Sequence, residues 1–305
     1  MKIIKGTIDF NLKEDCAVSF GKFDGLHLGH KLLMSMLMKE KAKGLKAAIF
    51  SFEMHPSFLL DTVNGGILTT NEEKNMLFEQ IGIDYIIEFP FTKETMNIEA
   101  EEFLQQTCSR LKARSIIVGK DFRFGYKRRG DIDLLANMSS KLNYELHVVD
   151  KVLYKGQEIS STLIRNKILE GDLNLANKLL GYHYFIIGDV VKGRQLGRTI
   201  NVPTINIIPD KDKLLLPFGC YAAKVYIDNN VYDGVVNIGT NPTISEGNNE
   251  TVEMHIFDFD KDVYGKKVKI EFVDYIRGQK KFESIEHLKE QILKDILKAK
   301  NILCS

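Results

Sequence analysis

The chain has 305 residues, of which 44% are hydrophobic and 27% charged, with a formal net charge of +1. That is long enough for two domains with separate cores, and the near-zero charge argues against a general nucleic-acid binder; the basic run Lys127-Arg128-Arg129 reads as a solvated loop. No apolar stretch could span a bilayer and the N-terminus lacks the apolar run of a secretory signal. Cys16, Cys108, Cys220 and Cys304 are scattered as free thiols are, so a reducing cytoplasm is the expected setting.

In chain order, the first half alternates short apolar runs with helical stretches. Cys16 to Phe20, Ala47 to Phe52, Tyr85 to Phe89, Ser115 to Val118 and Leu146 to Val149 read as strands. Such continuous apolar runs suit a parallel sheet covered on both faces. Lys31 to Lys43 reads as a helix with Leu32, Leu33, Met36 and Leu37 on one face, and Glu99 to Lys112 as another with Phe103, Leu104 and Leu111. Ser161 to Gly171 and Asp172 to Leu180 read as two short helices closed by Gly171 and Gly181. The alternation predicts a doubly wound α/β domain over residues 1–182.

The rhythm changes near Tyr182. Tyr184 to Val191, Cys220 to Ile227, Val231 to Ile238, Thr251 to Phe257 and Lys267 to Val273 read as strands, with a turn at Asp228-Asn229-Asn230. A helix follows, with Ser284 as N-cap, Glu286 in its first turn and an apolar stripe of Ile285, Leu288, Ile292, Ile296 and Leu297. Residues 183–305 are therefore expected to form a small barrel or sandwich with a C-terminal helix.

Two segments carry chemistry in the first half. Gly21-Lys-Phe-Asp-Gly-Leu-His-Leu-Gly-His30 lies between the first apolar strand and the first long helix. A helix N-terminus attracts anions, Gly25 and Gly29 allow close approach of phosphate oxygens, and His27 and His30 lie one turn apart as hydrogen-bond donors. The other segment, Ile159-Ser-Ser-Thr-Leu-Ile-Arg165, opens a later helix. Its hydroxyls suit capping, and Arg165 suits phosphates held at that start.

The pair His-x-Gly-His and Ser-Ser-Thr-x-x-Arg resembles the nucleotidyltransferase superfamily. Class I aminoacyl-tRNA synthetases share the first motif, but their lysine-rich second motif is missing here. With His55-Pro56 and Val118-Gly-x-Asp-Phe-x-Phe-Gly125 in the same order, the region resembles the FAD synthetase module of bacterial bifunctional riboflavin kinase/FMN adenylyltransferases. The resemblance implies a Rossmann-like domain that transfers AMP from ATP to FMN and releases pyrophosphate. It implies His27 and His30 on the ATP phosphates and Ser161, Thr162 and Arg165 on the leaving pyrophosphate. Gly21, Phe23, Asp24 and Gly29 fall on the ATP side. Asp121 falls near the nucleotide, its magnesium or the flavin, and His55, Phe122 and Phe124 on the flavin side. Phe122 and Phe124 equally suit ordinary core packing. Lys22 stands where the family usually has asparagine.

In the second half, Gly188-Asp-Val-Val-Lys192-Gly193-Arg-Gln-Leu-Gly197 is a glycine-punctuated strand and loop, and Pro203-Thr204-Ile205-Asn206 follows. Thr204 and Asn206 place two neutral oxygens on one face of a strand, a donor set that suits Mg²⁺. The tetrapeptide resembles the Pro-Thr-Ala-Asn motif of riboflavin kinases, with Asn201-Val202 where glycine and an aromatic usually precede it. Phe218-Gly-Cys-Tyr-Ala222, Val236-Asn-Ile-Gly239, Asn241-Pro-Thr243, Val252-Glu253-Met-His255, Asp262-Val-Tyr-Gly265 and Tyr275-Ile-Arg277 extend the match. The resemblance implies an antiparallel β-barrel kinase domain in which Glu253 is the catalytic base. Gly188, Lys192, Gly193, Gly197 and Tyr264 fall on the ATP side, and Arg277 and Phe282 border the flavin or serve the structure. The expected ligands are riboflavin, FMN, FAD, ATP and a divalent cation, without nucleic acid or membrane and with at most weak self-association. The departures at Lys22 and Asn201-Val202 leave open an enzyme with one working activity; a separate alternative, a flavin-responsive regulatory or RNA-binding protein that keeps the folds without turnover, is opposed by the intact motifs and the near-zero net charge.

Overall fold

The computed structural model describes residues 1–53, 66–193, 202–240 and 250–304. Contacts divide the chain into two compact units, Met1–Ser161 and Thr162–Ser305. The first contains β1 (Lys2–Lys5), β2 (Cys16–Phe20), α1 (Leu28–Ala42), β3 (Lys46–Phe52), α2 (Asn71–Ile81), β4 (Tyr85–Phe89), α3 (Ala100–Leu111), β5 (Ala113–Gly119), α4 (Ile132–Leu142), β6 (Glu145–Val149) and a small hairpin of β7 (Leu153–Tyr154) and β8 (Gln157–Glu158). Six strands pair in parallel in the order β1-β4-β3-β2-β5-β6. The chain winds outward from β2 in both directions. The order therefore reverses between β2 and β5, whose C-terminal ends flank the crevice where such sheets bind ligands.

The core of this unit lies in two layers. Leu33, Met34 and Leu37 of α1 and Phe78 of α2 pack with Ile49, Ile86 and Ile117 of the sheet. Leu104 and Leu111 of α3 and Leu135 and Met138 of α4 pack with Val18, Phe50 and Ile116. Burying each such leucine contributes roughly 2 kcal/mol. The expected face of α1 needs one correction: Leu32 is 40% exposed and Met34 is buried. The helix turns around the Leu33–Leu37 axis, and Leu32 falls on its flank. Residues 2–5, 71–81 and 132–142 form elements that the apolar pattern did not predict. For α2 a different signal was present, since Thr70 and Glu73 form a reciprocal capping box.

The second unit opens with α5 (Ser161–Leu169), whose first residue still belongs to the first unit, and α6 (Leu173–Leu180). Six antiparallel strands follow: β9 (Phe185–Val191), β10 (Ile205–Pro209), β11 (Gly219–Ile227), β12 (Asn230–Thr240), β13 (Glu250–Ile256) and β14 (Lys267–Gly278). They close in the order β10-β13-β12-β11-β14-β9, which makes the expected barrel or sandwich a barrel. The β11–β12 hairpin turns at Asp228 and Asn229, both at positive φ (47° and 67°), a primed turn that Asp and Asn tolerate. Asn177 of α6 ties that helix to the barrel by accepting from the Tyr184 amide at 2.7 Å and donating to the Phe272 carbonyl at 3.1 Å.

Helix α7 (Ile285–Leu303) lies against the outer faces of β11, β12 and β14. Ser284 caps it as expected, accepting from the His287 amide. The expected stripe is wrong in part: Ile285 and Leu297 are each 64% exposed, while Asp295 and Ala299 are buried. The stripe runs through position 295, which a count of apolar residues skips because an aspartate occupies it. Its charge is matched by Arg277, whose Nε and Nη2 donate to the carboxylate at 2.7–3.0 Å.

Candidate active sites

The first site is built at the end of β2. The chain leaves Phe20 and bends through Phe23, Gly25 and Leu26, all at positive φ (51°, 80° and 34°). That conformation is strained for Phe and Leu and is held by tertiary contacts. Phe23 and Leu26 are buried, the Gly25 amide donates to Thr69 Oγ1 at 2.9 Å, and Asp24 Oδ1 accepts from the Thr69 amide at 3.0 Å. Phe23 meets Phe78 of α2 edge-on at 5.7 Å. The bend delivers His27 to the N-cap of α1, where its Nδ1 accepts from the His30 amide at 3.4 Å. In the neutral ring that puts the hydrogen on Nε2.

The two imidazoles stack, with centroids 3.7 Å apart and planes 19° from parallel. Burial lowers the His27 pKa to about 4, against the pull of Asp24. Burial, then the charges of His27 and Lys74, put His30 well below its ordinary value. Both rings are therefore neutral near pH 7 and offer hydrogen bonds without net charge. Nδ1 of His30 is buried with no hydrogen-bond partner among the described residues. Gly29 packs under this pair, because a Cβ there would meet the His27 ring at 3.1 Å. Gly21 lies against the Phe23 ring in the same way, at 2.9 Å.

Ser161, the first residue of α5, donates its hydroxyl to the Asp24 carbonyl at 2.7 Å. The structure thus brings one member of the late motif to the early one. Thr162 and Arg165 belong to the second contact unit. At the end of β5, Phe122 and Phe124 stack at 5.4 Å, and Phe122 lies 5.9 Å from Phe20 beside the β2 terminus. Phe124 is 7% exposed and packs in the core, whereas Phe122 is half-buried. Asp121 is exposed and paired with Lys151 at 3.2 Å. His55, Gly197, Asn201 and Asn241-Pro-Thr243 lie outside the described residues.

The second site lies on the barrel's outer surface. Along β13, Val252, Met254 and Ile256 are buried and Thr251, Glu253 and His255 are not, so Glu253 faces outward. Register places Asn206 of β10 and Asn237 of β12 directly beside Glu253, on either side. Cys220 of β11 and Arg277 of β14 continue the same row. Cys220 donates to Asn237 Oδ1 at 3.6 Å, and burial pushes its thiol to about 11, so it is inert at neutral pH. Arg277 is held by Asp295, with the Phe282 ring 5.8 Å away. At the other end, the Asn206 amide lies on the backbone of Gly193, where any Cβ would overlap it. Lys192 sits 5.8 Å from the ring of Tyr264. The Tyr264-Gly265 turn is tied to β9 by the Gly265 amide, which donates to the Val190 carbonyl. Gly188 admits β10 closely, because a Cβ there would meet the Ile208 carbonyl at 2.5 Å.

Sequence reasoning missed Thr69, which anchors the first loop, and Lys74 beside it. It quoted Asn237 only as part of a match. The register that sets Asn237 against Glu253 joins residues distant in sequence. For magnesium the fit is chemical: Thr204 is half-buried at the start of β10, and Asn206 supplies an amide oxygen beside the Glu253 carboxylate. A separate cluster of Glu40, Glu145 and His147 has ligand atoms within 4.8 Å of one another, but Lys43 already neutralises Glu40 at 2.6 Å.

A family model described as FAD synthetase matches residues 9–163, and one described as riboflavin kinase matches residues 180–303. A bifunctional riboflavin kinase/FMN adenylyltransferase of Bacillus subtilis is 36% identical over 93% of this chain and 92% of its own length. That of Haemophilus influenzae is 35% identical over 98% of each chain. A solved structure of a protein from Streptococcus pneumoniae, described as a macrolide-efflux protein, superposes with a TM-score of 0.88 at 29% identity over 98% of each chain. Among the described residues here, no helix is long and apolar enough to cross a membrane. Two successive family matches and relatives aligned over nearly the whole chain show its kinship: the chain belongs to the bifunctional riboflavin kinase/FMN adenylyltransferase family.

Proposed function

We infer that this chain makes FAD from riboflavin in two ATP-dependent steps, and that the sites described above divide the work. In the barrel, the Glu253 carboxylate accepts the proton of the riboflavin 5′-hydroxyl as that oxygen attacks the γ-phosphorus of ATP and ADP leaves. In the α/β unit, an oxygen of the FMN phosphate attacks the α-phosphorus, the α–β phosphoanhydride bond breaks, and pyrophosphate leaves. His27 and His30 donate to the charge building on the phosphates, with Ser161, Thr162 and Arg165 receiving the pyrophosphate. Gly21, Phe23, Asp24 and Gly29 shape the nucleotide side, and Phe122, with Asp121 and His55, the flavin side. In the barrel, Gly188, Lys192, Gly193, Gly197 and Tyr264 border ATP, and Phe282 and Arg277 border the flavin.

The observation that carries this reading is the difference in protonation chemistry. The barrel offers a carboxylate for a hydroxyl that must lose a proton. The α/β site offers a neutral imidazole pair for a phosphate that is already an anion. Mg²⁺, when bound, screens phosphate charge, and Thr204 and Asn206 would hold it in the kinase site. We assign adenylylation to residues 1–182 and phosphorylation to residues 183–305, in a cytoplasmic enzyme acting on small molecules without nucleic-acid or membrane partners. Chromatography of products from riboflavin plus ATP, and separately from FMN plus ATP, tests the reading: FAD in both reactions supports it, and FMN as the end product in the first removes the α/β assignment.

A further inference from the structure

The neutral histidine pair brings no full positive charge of its own to the adenylylation site, and the cation already assigned there, Arg165, belongs to the second contact unit. ATP brings several negative charges, and pyrophosphate leaves with more charge than it had as part of ATP. Imidazoles at a helix N-terminus supply donors and a partial dipole charge, but no full cation.

Helix α2 is docked on the phosphate loop by three contacts. Thr69, two residues before the helix, exchanges hydrogen bonds with Asp24 and Gly25, and Phe78 packs on Phe23. This docking fixes the first turn of α2 against the segment that carries His27 and His30. Lys74 lies on that turn. Its Nζ donates to the Lys22 carbonyl, inside the first motif, at 3.5 Å. Its charge reaches His30 and is felt by Asp24 and Glu88. One long hydrogen bond uses one of three ammonium donors. Burial lowers the pKa of this lysine against the opposing pull of the Asp24 and Glu88 carboxylates, so burial outweighs their charge and an incoming anion would stabilise the ammonium further.

We propose that Lys74 is a further catalytic residue of the adenylylation site, whose ammonium binds the β- and γ-phosphates of ATP and holds the pyrophosphate as it leaves. The proposal rests on the assignment of His27 and His30 to this reaction. It differs from a structural role, in which Lys74 only fastens α2 to the loop through Lys22.

The test uses the full-length chain with Lys74→Met, Lys74→Gln and Lys74→Arg, and His30→Ala as a separate control. FMN adenylylation is measured with ATP varied, pyrophosphate inhibition is measured alongside, and riboflavin phosphorylation reports on the intact barrel. Lys74→Met and Lys74→Gln should each lower kcat/KM for ATP by about 10- to 100-fold and weaken pyrophosphate inhibition, with the kinase unchanged. Lys74→Arg should recover most of both. If Lys74→Gln, which keeps the donor without the charge, behaves as wild type, Lys74 is a fastening and the proposal falls. It also falls if Lys74→Met leaves both quantities within twofold. Should Lys74→Met fail to fold by circular dichroism, the Gln and Arg variants decide between charge and donor. A fully active His30→Ala would instead overturn the assignment of the site, and the proposal with it.

Discussion

The two candidate sites of this molecule are built by different physics. In the α/β unit the site is a loop under strain, with Phe23 and Leu26 at positive φ, pinned by Thr69 and ending in a histidine pair at a helix start. In the barrel it is a row set by strand register: Asn206, Glu253 and Asn237 stand side by side because β10, β13 and β12 pair there. On the proposed reactions the difference follows the nucleophile. A hydroxyl needs a base held rigidly beside the metal ligands, and a sheet provides that rigidity. A phosphate anion needs donors aimed at developing charge, and a helix N-terminus provides them.

The sharpest way to break this comparison is to exchange the losses. His30→Ala is expected to cut FAD formation from supplied FMN by a hundredfold or more while riboflavin phosphorylation continues. Glu253→Gln keeps the shape and removes the base, so FMN formation should fall by about 10²- to 10⁴-fold while supplied FMN is still adenylylated. Product chromatography of both variants reads both rates. A variant that loses both activities would mean the sites are not independent.

Next in size is the comparison of two fragments. Residues 183–305 hold every proposed kinase residue, but the second contact unit begins at Thr162. Leu173, Ala176, Leu179 and Leu180 of α6 are buried, and Asn177 bonds to Tyr184 and Phe272. Both fragments 162–305 and 183–305 should convert riboflavin to FMN and neither should make FAD. The shorter should be less stable by on the order of 5 kcal/mol, measured by denaturant unfolding. Equal stability would confine the kinase unit to the barrel and α7.

Acid should separate the halves more gently. The His27 pKa is lowered from 6.5 to about 4 in the folded state, so the unfolded state binds more protons between those values. Stability is therefore full above about pH 6.5 and falls as pH drops towards 4, by on the order of 3 kcal/mol from this group. Calorimetry of wild type and His27→Gln across that range checks it: the variant should show a shallower slope, the remainder coming from His30, whose pKa is also lowered. The smallest effect belongs to the helix cap. Ser284→Ala should cost the barrel unit about 1 kcal/mol, seen as a slightly lower melting transition with adenylylation unchanged.

Much of this architecture was legible in the chain. The five apolar runs of the first half became strands β2 to β6, and β2 and β4 match the pattern at both ends; the inner strands β2 to β5 are apolar because both of their faces are covered, whereas β6 is a half-exposed edge. The Ser284 cap and the Asp228-Asn229 turn were legible because their causes are local. What the pattern omitted has a different cause. Strand β1 is an exposed edge without an apolar run, and α2 announces itself by a capping box rather than by periodicity.

The sequence by itself determined the two-part design and the candidate residues at both sites, since the histidine motif and the Pro-Thr-Ile-Asn segment, each weak alone, gain their meaning from the other motifs that stand with them in order along the chain. Tertiary structure alone decided three things. It set Asn237 beside Glu253, because register joins residues 16 apart in sequence. It turned Asp295 inward instead of Leu297, because Arg277 waits on the barrel face and a paired charge is tolerated where an unpaired one is not. And it made His27 and His30 neutral, because burial depth is a property of the packed loop and not of the motif.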